Sequence, residues 1–161
     1  MPAHHTITAS ESGNALVELA ITLPLFVLLI LGAGEIANLA WASVEINNAA
    51  RAGAAYGSVS RANSAPSNLG NIQLAAQNEA PKLITSLSQV TSTQLCTCVG
   101  ASASSSPITC DQNALTSCPP PSIIQVAVQV NTQAAVSPLI HYPGLPGTYT
   151  VRAQATMRVL Q

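Results

Sequence analysis

Glu18 and four cysteines, Cys96, Cys98, Cys110 and Cys118, are the residues of this 161-residue chain whose types and settings could do chemistry. Thiols cross-link or hold metal, according to spacing and compartment. Glu18 stands at the front of an uncharged apolar run, Leu19 to Gly34. A carboxylate at membrane depth costs up to about 3 kcal/mol on insertion scales and is retained mainly where it finds a partner. At a headgroup boundary it would instead complement the positive end of a helix. No other residue nominates itself. His4, His5 and His141 have no Asp or Cys neighbour, and no serine lies in G-x-S-x-G or S-x-x-K. Glu45, Glu79 and Asp111 are isolated, and no glycine loop could cradle a phosphate. The reading is therefore non-enzymatic, with no catalytic residue, cofactor or metal.

The cysteines all fall in one Ser/Thr/Pro-rich stretch of the C-terminal half. An even count in an oxidising compartment implies two disulfides, and the three possible pairings stay open. Zinc is the competing use. The spacing, C-x-C, then eleven residues to Cys110 and seven to Cys118, lacks the C-x-x-C knuckles of structural zinc sites.

Composition narrows the partners. Charged residues make up 7 % of the chain, against roughly 25 % in an ordinary soluble domain. With a net charge of -1 and five scattered Lys and Arg there is no basic patch to track phosphates, so nucleic acid is excluded as a partner. Aromatics are few: Phe26, Trp41, Tyr56, Tyr142 and Tyr149. An exported domain so poor in large side chains must lean on cross-links or on neighbouring subunits.

The elements that must position these residues begin with residues 1–13, "MPAHHTITASESG", a polar leader or tail without Lys or Arg. Residues 15–34 then supply about 30 Å of helix, the thickness of a hydrocarbon core. "LPLFVLLILGAG" is apolar on every face, which favours a membrane over a domain surface. Pro24 removes the bond to the Ala20 carbonyl and is expected to kink the helix. Beyond Glu35 the sequence stays Ala-rich and free of proline, so one helix is expected across 14–58. Ile36, Leu39, Trp41, Val44 and Ile46 are its larger apolar residues outside the span, and Gly53 and Gly57 form a small-xxx-small helix-packing face. That face suits a helix partner in lipid or a tight internal contact equally well.

Residues 59–161 form the head. "RANSAPSNLGN" (61–71) reads as a loop, and a short helix is expected over about 71–87 with Ile72, Ala75, Ala76, Leu83 and Leu87 on one side, interrupted at Pro81. "SIIQVAVQVNT" alternates with period two, setting Ile124, Val126, Val128 and Val130 on one face. "TYTVRAQATMRVL" alternates likewise from Tyr149 to Val159. The Pro/Gly-rich connection between them predicts an antiparallel pair. Two strands alone are marginal, so a third around 94–99, or the long helix, must cover their apolar face. The fold class is α+β, a long N-terminal transmembrane helix followed by a small head containing an antiparallel sheet.

Gly13 followed by Glu18 and an apolar run, after a short polar leader, resembles the processing site of type IV prepilins. More closely, "GNALVELAITLPLFVLLILGAGEIANLAW" followed by "NNAARAGAAYG" resembles the TadE-like family of pseudopilins of tight-adherence (Tad) pili. The ordered combination over residues 13–57 carries the resemblance, and the ending "ATMRV" is similar more loosely. It implies a pilin-like helix, cleavage by a prepilin peptidase between Gly13 and Asn14, and pairing of Glu18 with the new N-terminal amine of a neighbouring subunit. It further implies other pilin subunits and the pilus assembly platform as partners, residence in the inner membrane before assembly, then a cell-surface pilus or the periplasm, and a role in surface adhesion and biofilm formation. This chain departs from the pattern in having no Lys or Arg in its leader, "VEL" where "VEF" is common, and a cysteine-rich insert that the family does not require. The alternative is a secreted or membrane-anchored binding protein with a conventional signal sequence, cut after "AWA" (40–42) so as to start at Ser43. The missing basic n-region and the long leader weigh against it.

Overall fold

The computed structural model describes residues 11–85, 89–100, 107–108, 110, 118, 120–141, 144 and 146–160. The expected leader up to residue 10, together with Leu87, Asp111 and Tyr142, lies outside them.

Helix α1 runs unbroken over Glu11–Ser58, with Pro24 inside it. It begins three residues before Asn14, so Glu11 to Gly13 are continuous with the helix that follows. Among the described residues nothing packs on its first half: from Gly13 to Ala33 every residue is exposed except half-buried Thr22. Shielding starts at Gly34 and Glu35, where the uncharged run ends. From there the helix presents one face to the head, with Ala42, Ile46, Ala49, Ala50, Gly53, Ala54 and Gly57 buried at helical spacing. Most of this face is made of small residues. Of the larger apolar residues after the span only Ile46 is fully buried, while Ile36, Trp41 and Val44 point outward.

α1 ends where Val59 and Ser60 turn the chain. Ser60, at φ -155 and ψ 161, accepts the Asn63 N–H with its side chain at 3.2 Å, the N-cap of a short helix α2, Arg61–Ser64. A 3₁₀ turn at Pro66–Asn68 leads into α3, Leu69–Glu79. The loop expected over 61–71 is therefore largely helical. Its Ser and Pro residues cap and start turns instead of breaking them, Pro66 occupying a first-turn position that needs no N–H. The helix expected over 71–87 is likewise shifted: it starts at Leu69 and stops at Glu79, because Ala80 precedes Pro81 and is driven out of the helical region, to φ -129 and ψ 58.

The sheet contains β1 (Val90–Val99), β2 (Pro107–Ile108), β3 (Ile123–Val136) and β4 (Tyr149–Arg158) in the order β2-β1-β3-β4, every pairing antiparallel. β3 and β4 are the two alternating runs read from sequence. Val126, Val128 and Val130 are buried and Ile124 half-buried, as the period predicts. β1 starts four residues before the expected 94–99, and two of its inward residues are polar: Ser92 donates to the Leu69 carbonyl at 3.2 Å and Gln94 to Ser64 Oγ at 3.1 Å. Those bonds satisfy groups that would otherwise be costly to cover, and they tie β1 to α2 and α3. One face of the sheet carries α1 and α3, giving a two-layer head whose core joins Ile46, Ile72, Ile84, Val90, Val128 and Val130.

Candidate functional site

The two ends of α1 do different work. Gly13 and Asn14 are exposed on its first turns, and Gly13 has open space where a Cβ would stand. Five residues on, Glu18 is exposed, and its carboxylate has no hydrogen bond or ion pair among the described residues. Its backbone carbonyl accepts the Thr22 hydroxyl at 2.9 Å, a local bond that hides one polar group of the apolar stretch within the helix. Around and after Glu18 stand Leu16, Val17, Leu19, Ile21, Leu23, Leu25, Phe26 and the run to Leu31, all exposed. A contiguous apolar surface of this extent calls for lipid or another protein to cover it.

Gly53 and Gly57 face inward. A Cβ at Gly53 would stand 3.0 Å from the Ile72 carbonyl oxygen and 3.1 Å from Ala76 Cβ. One at Gly57 would stand 2.9 Å from Ile72 Cδ1 and 3.0 Å from Val128 Cγ1. Of the two uses the small-xxx-small spacing allowed, the geometry shows the internal one, with the glycines setting how closely α1 approaches α3 and β3.

The cysteines form two disulfides, Cys96–Cys110 and Cys98–Cys118. Both begin on β1, two residues apart on the inward face, and pin the long β1–β3 connection to the sheet. No group of three His, Cys, Asp or Glu among the described residues could hold a metal ion. On the outer face of the sheet a shallow groove of about 520 Å³ is lined by Thr91, Asn131, Gln133, Arg152 and Gln154 among others. Its lining has no carboxylate, imidazole or thiol.

Sequence reasoning overlooked the fastening of head to helix. Glu35 Oε2 accepts the Leu139 backbone N–H at 2.9 Å, while its other oxygen is buried without a hydrogen-bond partner among the described residues. Asn38 donates to the Ser137 carbonyl at 3.3 Å, and Thr132, fully buried, donates to the Ile46 carbonyl at 3.0 Å. At the other end the Leu160 N–H reaches the Ser58 carbonyl at 2.9 Å. The one signal available was the position of Glu35 and Asn38 immediately after the apolar run.

These features define a class: an α+β chain whose N-terminal helix is long and apolar enough to cross a membrane and whose continuation carries a small disulfide-bonded head. Residues 13–55 match the family model described as TadE-like protein, the family the sequence resembles. The match lies within α1 and points to a pilin-like protein associated with the Tad pilus. Neither the curated proteins nor the solved structures yield a match.

Proposed function

We propose that this chain is a structural, pilin-like subunit of a Tad pilus. A prepilin peptidase cleaves it between Gly13 and Asn14, residues 15–34 hold it in the inner membrane, and it joins other pilin subunits at an assembly platform through its apolar helix. The assembled pilus supports surface adhesion. One observation carries this reading: the stretch that opens the TadE-like match and bears Glu18, residues 15–34, is apolar, and no other described residue of the chain lies against it. In low dielectric an unpaired carboxylate is penalised, and an ammonium from a neighbour's new N-terminus offsets the penalty. Correct register between subunits is thereby favoured over misregister.

The signal-sequence alternative would cut after Ala42, which is buried against the head, and would remove Glu35 and Asn38 with their bonds to Leu139 and Ser137. The test is the N-terminus of the mature protein. A start at Asn14 supports pilin-type processing, and a start at Ser43 overturns it. Glu18→Ala should leave membrane insertion intact and lower the amount of filament, and normal filament levels in that variant would refute the register role.

A further inference from the structure

β3 runs antiparallel to α1, toward the membrane end of the helix. Successive contacts mark its course: Val126 bonds Val159, next to Leu160 on Ser58, Thr132 reaches Ile46, Ser137 reaches Asn38 and Leu139 reaches Glu35. From Ile46 to Glu35 the helix rises by about 16 Å. Among the described residues the segment 137–141, "SPLIH", is thus the tip of the head nearest the apolar span. It contains no Lys, Arg, Asp or Glu, and its two large apolar side chains face solvent, Leu139 at 65 % and Ile140 at 42 % exposure. The adjoining helix residue, Ile36, is 71 % exposed.

We propose that this tip is a second membrane contact, in which Leu139 and Ile140 enter the interfacial layer of the bilayer and Glu35 and Asn38 hold them at that depth. The inference rests on the reading of residues 15–34 as a membrane span. Its occupant is lipid because the segment is tied to the residue at which the uncharged run ends, so a bilayer filled by that run has its boundary at Leu139. A carboxylate oxygen and an amide side chain bonded to backbone of 137–139 leave the segment little freedom to withdraw. The head then meets the membrane at two points, and its orientation on the helix is set before any subunit joins it.

The experiment uses the full chain in two sets of phosphatidylcholine vesicles, one with lipids brominated near the headgroup end of the acyl chain, to report the tip, and one with lipids brominated toward the chain end, to report the span. Trp41 is the one tryptophan, so in a Trp41→Phe background each new tryptophan is a lone reporter. Phe26→Trp reports the span, Leu139→Trp the tip, and Leu74→Trp an exposed position on α3. The expected result is loss of emission and a blue shift for Phe26→Trp and Leu139→Trp, with neither for Leu74→Trp. Quenching at Phe26→Trp but not at Leu139→Trp overturns the inference and leaves the span intact. No quenching at either position overturns both. Quenching at all three positions means that the whole head lies on the bilayer, and also overturns the proposed contact. Adding Glu35→Ala to Leu139→Trp should reduce the quenching, and unchanged quenching would refute the holding role of Glu35.

Discussion

Replacing Gly57 by alanine should weaken the head even though alanine is the better helix former. A Cβ built there meets Ile72 Cδ1 at 2.9 Å and the two Val128 methyls at 3.0 and 3.1 Å. Carbon pairs settle at about 3.5–4.0 Å, so all three contacts fall short by about 0.4 Å or more. The neighbours have little room to yield. Val128 is fully buried and β-branched, on a strand paired on both sides, to Gln94 and to Met157, and Ile72 is fully buried between α1 and the sheet. Overpacking of this kind costs about 1–3 kcal/mol, against up to about 1 kcal/mol gained from helix propensity. The net expectation is a loss of about 1 kcal/mol. Gly70→Ala is the internal control, because a Cβ at Gly70 in α3 meets nothing within 4 Å and the substitution should stabilise by about 0.5 kcal/mol. The two variants should therefore stand about 1.5 kcal/mol apart in urea unfolding of the oxidised full chain in detergent micelles, followed by pulse proteolysis of the head. Equal stabilisation by both would refute the close approach of α1 to β3 on which the fold depends.

Removing either disulfide, by Cys96→Ser with Cys110→Ser or Cys98→Ser with Cys118→Ser, frees a connection closed at a sequence separation of 14 or 20. Each should cost about 3 kcal/mol on the chain-entropy account, read as a lower urea midpoint. Thr132→Val keeps the shape of the side chain but removes the buried bond to the Ile46 carbonyl, and should cost about 1 kcal/mol in the same assay. Glu35→Ala removes the acceptor of the Leu139 N–H, so hydrogen exchange at that amide should quicken while exchange in the middle of β3 stays slow. Equal quickening along the strand would mean that Glu35 supports the whole head and not its tip.

The parts legible in the sequence were those written in a single residue period. The apolar run needs no partner to be recognised, since hydrophobicity on every face over the length of a bilayer identifies it. The alternation in β3 and β4 was readable because half-buried strands sort side chains by parity. The first part of β1 was hidden because Ser92 points inward, and only the carbonyl of Leu69 makes that burial affordable. The 61–71 segment misled for a related reason: serine, asparagine and proline suit loops and helix starts alike, and neighbouring turns decide between them.

By itself the sequence determined the long apolar helix, the place of Glu18 in it, the two alternating strands and the supply of four cysteines, because each depends on local composition or spacing. Only the tertiary structure decided which cysteines pair, that Gly53 and Gly57 face the chain's own sheet, and that Glu35 and Asn38 hold the 137–139 backbone. Those outcomes join residues up to 104 positions apart. Contacts at such separation follow from how the helix and the sheet come to lie on one another, and no local spacing encodes them.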